Sequence, residues 1–317
     1  LGPGALSLIS SNVLPFWFSR RLGMVEGLRQ TAMAIAMATV PPLNLWLVYQ
    51  FGWRIGYAVL GVSILLVIGF AVWRWFRSFP EEFGLGLDGV MVSCNEGRLS
   101  LRESALDSAH FRGAKGDHSF TISETIRTAP FWIVLAGTSL FGLIQTGVFF
   151  CLTPILAKFH LHEGMPATML AAFAISLAIH QVIGGRLADQ FEAKWLLALG
   201  MCLFASGLGC MTLFHGSTGV LIAGCLLGAA QGIYFSSAQP LWARYYGTKH
   251  LGKLRGVLMA TMVATSSIGP FLVGACFDIY SSFLPVLGLF AMLPIAFAAL
   301  SFLVKAPTST HITLESH

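Results

Sequence analysis

Charged side chains are scarce in this chain of 317 residues. Asp, Glu, Lys and Arg together make up only 10% of it, against about 25% in an average soluble domain. Hydrophobic residues make up 56%, and the mean hydropathy is +0.75. Too little polar surface remains to cover a water-soluble globule. The composition therefore excludes a soluble protein and indicates an integral membrane protein.

The sequence also lacks the residue patterns that are typical of metal binding, nucleotide binding and catalysis. Its six cysteines stand singly, with neither metal-ligand spacing nor a disulfide framework. It has no phosphate-binding loop, which excludes an ATP-driven pump, and no nucleophile at a plausible spacing from a base. No Asp or Glu lies at the centre of a long apolar segment, so a membrane-embedded enzyme is not indicated. We predict that the protein is not an enzyme and holds no metal or other cofactor.

Long apolar segments are abundant. A membrane-spanning helix needs about 20 mostly apolar residues, and windows of that size give nine candidates: 1–19, 24–48, 53–76, 130–158, 165–187, 193–214, 217–243, 252–277 and 282–304. They are too long and continuous for the strands of a membrane barrel. The sequence therefore predicts an all-α membrane protein with about nine transmembrane helices. Because Leu1 is not an initiator Met and lies inside an apolar segment, we expect a fragment whose earlier spans are missing.

Positive charge is distributed unequally between the two sides of the predicted membrane. When the spans alternate, all of the 19 Lys and Arg residues except Arg54 and Lys158 fall on one side. Cytoplasmic loops collect Lys and Arg, so the loop 77–129 and the C-terminus are predicted to be cytoplasmic. We expect a multi-pass protein of the plasma (inner) membrane whose surroundings are the lipid bilayer. Nucleic-acid binding is not indicated, because the cations never cluster on one soluble module.

An internal repeat relates two distant parts of the chain. Pro41 follows Gly27 by fourteen residues, and Pro270 follows Gly256 by the same number. Each copy is preceded by a helix end that carries Trp, a further aromatic residue and Arg. Two related halves joined by the loop 77–129 explain this pattern, and parallel repeats of that kind are known in secondary transporters.

The segment 185–194, which reads GRLADQFEAK, resembles the short cytoplasmic motif Gly-x-Leu-Ala-Asp-Arg-x-Gly-Arg-Lys of the major facilitator superfamily. The matching residues are Gly185, Leu187, Ala188, Asp189 and Lys194, whereas Gln190, Glu192 and Ala193 depart from the motif. The segment 52–54 looks like the outer start of the family's sixth helix, and the segments 80–89 and 129–132 that follow are similar to the oxalate/formate and monocarboxylate-transporter-like branch. The resemblance covers the whole chain and numbers its spans four to twelve of twelve.

The resemblance implies the organisation and the function. It divides the chain into the remainder of an N-terminal helix bundle (1–76), a central loop (77–129), a C-terminal six-helix bundle (130–305) and a tail (306–317). It implies secondary active transport of a small solute by alternating access. The branch suggests that this solute is an organic anion, such as a mono- or dicarboxylate. A coupling proton or a counter-transported anion would be the second partner. The alternative is a transporter-like sensor that binds a solute without net transport.

Asp189 is the central residue of the motif. It lies at the cytoplasmic end of its predicted helix, where a carboxylate gains from nearby cations or from helix N-terminal amides. In the family the equivalent Asp docks on the opposite half, and the repeat directs Asp189 towards the helix that begins around Gly23–Gly27. We interpret Gly185, Leu187, Asp189 and Lys194 as a cytoplasmic gate motif. The alternative is a solvated turn with ordinary helix caps.

Polar side chains deep in a span tend to face a cavity or another helix. His180 lies nine residues before Asp189, about 13 Å along the helix, and could supply a titratable group near the midplane. In the monocarboxylate-like branch an Arg at the position of Gln181 grips the substrate carboxylate, so this chain lacks that anion anchor. The further candidates for substrate binding are Gln145, Gln231, Tyr234 and Asn44. For all six residues, hydrogen bonding between helices is the alternative.

Overall fold

A computed structural model describes residues 10–75 and 120–304, apart from positions 16, 19, 163, 215 and 248 and the side chains at 37, 38, 41, 42, 45, 68, 71 and 75. The predicted span 1–19, the central loop, the tail, Cys94 and Glu163 therefore lie wholly or largely outside the described residues. In the described part, residues 10–15 are helical, and nine further helices follow: α1 (Leu22–Trp75), α2 (Ile122–Ile126), α3 (Ala129–Phe150), α4 (Leu152–Lys158), α5 (Met165–Gln190), α6 (Ala193–Leu213), α7 (Ser217–Tyr246), α8 (Leu251–Tyr280) and α9 (Leu284–Ser301).

Seven helices of the described part are long and apolar enough to cross a membrane. Six of them are α3 and α5 to α9, and the seventh is the later part of α1, Trp46–Arg74. The predicted span 24–48 is helical throughout but is not among the seven. The all-α membrane fold is confirmed, and the ends of α5 to α9 fall within three residues of the predicted ends.

Gly52 interrupts α1 between the predicted spans 24–48 and 53–76. Its φ of 79° and ψ of 162° are not helical, and a side chain is disfavoured at this positive φ. The guanidinium of Arg54 lies 4.4 Å from the ring centre of Trp53 directly after the break. A glycine is therefore required where one apolar helix ends and the next begins.

The prediction of one continuous span over 130–158 was wrong. The helix stops at Phe150, and α4 begins at Leu152, with φ −95° and ψ 12° at Cys151 between them. Pro154 explains the break, because it has no N–H for the carbonyl of Phe150 and its ring crowds that carbonyl. The spanning helix is therefore α3 alone, and α4 is a separate short helix.

The helices from α3 onward form one bundle around α7. The helix α7 packs along α5 on one side and α6 on the other, α3 packs along α8, and α6 packs along α9. Aromatic rings fill the interior, with Phe141 stacked on Phe204 at 4.1 Å and tilted against Tyr234 at 4.7 Å. The helix α1 lies against α5 and, less extensively, α7. This contact joins the early part of the chain to the bundle.

Candidate solute cavity and gate

Asp189 joins the end of α5 to the beginning of α1. Its Oδ1 accepts a hydrogen bond from the Gly23 N–H at 2.8 Å, and its Oδ2 accepts one from the Met24 N–H at 2.9 Å. Both N–H groups belong to the first turn of α1, where free amides and the helix dipole favour an anion. The predicted approach of Asp189 to this helix is therefore present.

Arg244, near the end of α7, completes this contact. One guanidinium nitrogen, Nη2, donates to Asp189 Oδ1 at 2.7 Å, and Nη1 donates to the Ala188 carbonyl at 2.6 Å. The Asp189 side chain is only 14% exposed, so its ion pair is shielded from solvent. We call the end of the molecule at Asp189, Gly23 and Arg244 the latch end.

Glycines allow α1 and α5 to approach closely behind the latch. A Cβ atom at Gly23 would lie 2.6 Å from the Gly185 carbonyl oxygen, and one at Gly185 would lie 2.5 Å from the Gly23 carbonyl oxygen. Both distances are shorter than van der Waals contact allows. The other two motif residues make no direct bond to α1 in the described part of the chain: Leu187 packs against Ala188, Leu196 and Ile233, and Lys194 pairs with Glu192.

A cavity of about 200 Å³ lies between the early part of the chain and the bundle, about the volume of seven water molecules. Residue 11, α1, α3, α5, α7 and α8 all contribute to its wall. Its polar lining residues are Ser11, Arg29, Gln30, Thr138, Gln181, Gln231, Gln239 and Arg255. Its apolar lining includes Met33, Met259, Met262, Phe235 and Trp242. A concave site with an apolar wall and a few polar groups is typical of small-molecule binding.

The two arginines that line the cavity differ in their partners. Arg29 forms a two-pronged ion pair with Glu26, with Nε 3.1 Å from Oε2 and Nη2 2.5 Å from Oε1. Among the described residues Arg255 donates to neutral oxygens only, Asn12 Oδ1 and the Gln239 carbonyl, each at 3.2 Å. Among the described residues no carboxylate lies within ion-pair distance of Arg255.

Arg255 is thus a buried cation without an ion-pair partner among the described residues, although it lies within electrostatic range of Glu26 and Arg29, which pair with each other. It is 4% exposed, and its Nε has no hydrogen-bond partner in the described part of the chain. Burial of an unpaired charge is unfavourable, so an anion in the cavity would stabilise this arrangement.

Two of the predicted binding residues, Gln181 and Gln231, line the cavity. The Gln181 side-chain oxygen is buried and has no hydrogen-bond partner among the residues that the structure describes. Gln231 accepts a hydrogen bond at 2.8 Å from the side-chain nitrogen of Gln145, which belongs to α3. Gln145 therefore orients Gln231 and does not itself line the cavity.

The other three predicted binding residues lie away from the cavity. The Nδ1 of His180 lies 2.8 Å from the Ser176 carbonyl on its own helix. The Tyr234 hydroxyl is buried and donates to the Val134 carbonyl at 3.4 Å. Asn44 is partly buried, and its side-chain oxygen has no hydrogen-bond partner within the described ranges. None of the three lines the cavity wall.

Sequence reasoning missed Arg255 and Arg29 as cavity residues, because it counted both as cations of the cytoplasmic connections. The internal repeat contained a signal for Arg255. This residue stands directly before Gly256, as Glu26 stands directly before Gly27, and Glu26 is itself buried at 1% exposure.

The described residues contain no cluster of three or more His, Cys, Asp or Glu side chains that could hold a metal ion. The five cysteines among them are free. The site that these residues build is therefore a cavity with charged and amide groups, next to an interhelical latch.

Comparison with known proteins agrees with this architecture. The family model described as the Major Facilitator Superfamily matches residues 1–167 and, in a second match, residues 134–316. None of the curated proteins matches the chain significantly. The two matches together cover almost all of the 317 residues. The chain belongs to the Major Facilitator Superfamily, whose members are multi-pass membrane transporters of small solutes.

Proposed function

We propose that this protein transports a small organic anion by alternating access and that the cavity at Arg255 is its solute site. The observation that carries the proposal is the burial of Arg255 with no carboxylate in ion-pair contact among the described residues. A carboxylate is a natural ligand for a guanidinium, because charge-assisted hydrogen bonds between them are short and strong.

The charges around the cavity favour a single negative charge on the solute. Glu26 and Arg29 balance each other, so one cation remains uncompensated among the described cavity residues. A monocarboxylate balances that cation, whereas a dicarboxylate would bring a second charge into a mostly apolar wall. The methionines and Trp242 would contact the apolar part of the solute. A coupling proton or a counter-transported anion would complete the transport cycle.

The contact between Asp189 and α1 supports a gate at the latch end. Asp189 binds the first turn of α1 through two hydrogen bonds, and the cavity lies deeper between the same helices. While these bonds hold, α1 and α5 stay together at this end, and the solute cannot leave there. Breaking them would let the two parts separate. The charge distribution predicts that this end is cytoplasmic.

Uptake of a labelled monocarboxylate into lipid vesicles containing the full-length protein tests the proposal. We expect Arg255→Gln to reduce the initial rate about 10-fold, because a buried charged contact is worth roughly 1.5–3 kcal/mol. Arg255→Lys, which keeps the charge, should retain part of the rate. Arg74→Gln removes an exposed arginine at the end of α1 and should have no effect.

Two results would count against anion transport. Wild-type uptake by Arg255→Gln would remove the proposed anchor. Binding of the anion by the wild-type protein without any uptake would favour the transporter-like sensor instead.

A further inference from the structure

Glu26 is buried next to the cavity and holds one of the two arginines of its wall. The described cavity wall includes Arg29 but not Glu26, which lies one turn earlier on α1. Both carboxylate oxygens of Glu26 accept from the Arg29 guanidinium: Nε lies 3.2 Å from Oε1 and 3.1 Å from Oε2, and Nη2 lies 2.5 Å from Oε1. The charge of Arg29 is therefore engaged by an acid of its own helix.

Arg255 is the third charged side chain of this group. It lies on α8, lines the same cavity as Arg29 and is within electrostatic range of both Glu26 and Arg29. Two cations and one anion leave a single net positive charge on the three side chains. Glu26 and Arg255 are buried, and charges that are shielded from water act on a bound ion with little screening. The net charge of the group therefore decides which anions the cavity favours.

The internal repeat shows that Arg29 enters the cavity wall together with its own counter-ion. Glu26 and Arg29 occupy the positions that Arg255 and Leu258 occupy in the second copy, and Leu258 also lines the cavity. The second copy thus places a lone cation and an apolar residue where the first copy places an ion pair. An arginine is not required at this position of the repeated helix.

We infer that Glu26 sets the charge of the transported anion: by neutralising Arg29, it restricts the site to singly charged anions. This inference rests on the proposed function, since Arg255 must first hold a carboxylate. The second carboxylate of a doubly charged anion would meet an arginine whose donors are already occupied, and the Glu26 carboxylate would repel it. Without the charge of Glu26, Arg29 becomes free to bind that second carboxylate, so dicarboxylates become the preferred class. Glu26 acts through Arg29 and is a positioning residue.

The test compares succinate with succinamate, its monoamide, which has the same shape and one negative charge fewer. Their affinities for the purified full-length protein are measured by calorimetric titration at neutral pH. We expect the wild type to bind succinamate several-fold more tightly than succinate. Glu26→Gln should reverse this preference and bind succinate about 10-fold more tightly than succinamate, because a second charged contact is gained.

Two further variants separate the role of Arg29 from a general effect of charge. The double variant Glu26→Gln with Arg29→Gln again has one cation and should return to the wild-type preference. The matched control Asp278→Asn removes a negative charge at an exposed position near the opposite end of the bundle and should keep the wild-type preference.

A preference for succinate in the wild type, or an unchanged preference in Glu26→Gln, would overturn the inference while leaving anion binding intact. A reversed preference that persists in the double variant would also overturn it, because Arg29 would then not be the second cation. A wild type that binds neither of these anions nor propionate would instead contradict the proposed function, and the inference with it.

If Glu26→Gln does not accumulate in the membrane, Arg29→Gln decides. It leaves the Glu26 carboxylate without its partner beside Arg255, so the affinity for propionate should fall about 10-fold. An affinity for propionate equal to that of the wild type would overturn the inference.

Discussion

Glu26 and Arg255 occupy equivalent positions of the internal repeat and carry opposite charges. Each stands directly before the glycine that opens its copy, Gly27 or Gly256, and the two side chains are 1% and 4% exposed. Glu26 pairs with Arg29, whereas the hydrogen bonds of Arg255 to the described residues go to neutral oxygens. The repeat thus places two buried charges near the wall between the two parts of the molecule, and we propose that the one at Arg255 binds the solute.

Neutralising Asp189 should weaken the latch. Asn keeps the size of the side chain, but it loses the ion pair with Arg244 and one of the two acceptors for the α1 amides. Hydrogen bonds to charged groups contribute roughly 1.5–3 kcal/mol, so we predict that Asp189→Asn lowers the initial uptake rate about 10-fold. The amount of the variant protein in the membrane should be unchanged. The uptake rate and the amount of protein are both measured on vesicles prepared from the same membranes.

The matched control for this variant is Asp278→Asn, which alters an exposed Asp at the opposite end of the bundle and should transport at the wild-type rate. Wild-type transport by Asp189→Asn would show that the hydrogen bonds to Gly23 and Met24 do not contribute to a gate.

A methyl group at Gly27 should separate α1 from α5. Its Cβ would clash with the Gln181 carbonyl oxygen, a main-chain atom that cannot rotate away. We predict that Gly27→Ala exposes the cavity from the latch end. A cysteine introduced at the buried cavity residue Leu258, in a protein without the native cysteines, should react several-fold faster with a membrane-impermeant thiol reagent applied at that end.

Gly274→Ala is the control for this experiment, because a Cβ atom at Gly274 has open space around it. The reaction rate in Gly274→Ala should equal that of the parent protein. A rate in Gly27→Ala no higher than in the parent would show that close approach at this glycine is not needed to keep the latch end closed.

The hydrogen bond between Gln145 and Gln231 should stabilise the bundle modestly. Interhelical hydrogen bonds in membranes average about 0.6 kcal/mol, so Gln145→Leu should lower the midpoint of thermal unfolding in detergent by a few degrees. Replacing both glutamines by Leu should cost less than the sum of the single changes, because neither polar group is then left without the other. Strictly additive losses would mean that the two side chains are not coupled.

The long apolar segments made most of the fold predictable, but they did not reveal where one helix ends. The ends of α5 to α9 follow from the change between apolar and polar residues, because each spanning helix must satisfy its own backbone within the membrane. The break at Cys151 lies inside an apolar run, so hydropathy does not reveal it. Only the missing N–H of Pro154 indicates it, and prolines are often tolerated within membrane helices.

The parts of the candidate site that follow from the repeat could be predicted. The parts that depend on how the helices pack against one another could not. The repeat and the motif together led to the contact of Asp189 with the start of α1. Nothing in the order of residues shows that His180 bonds to its own helix while its neighbour Gln181 reaches the cavity, since this depends on how α5 rotates against α7. Lys158, a cation on the unexpected side, lies over the ring of Phe277 at 5.2 Å, a contact between α4 and α8 that the sequence does not indicate.

The most direct test of anion recognition by Arg255 compares L-lactate with L-lactamide, which have the same shape and hydroxyl group but differ in charge. Their affinities for the purified full-length protein are measured by calorimetric titration. We predict that the wild type binds lactate at least about 10-fold more tightly and that Arg255→Gln binds the two with nearly equal affinity. An undiminished preference for lactate in Arg255→Gln would contradict the assignment of Arg255 as the group that recognises the anion.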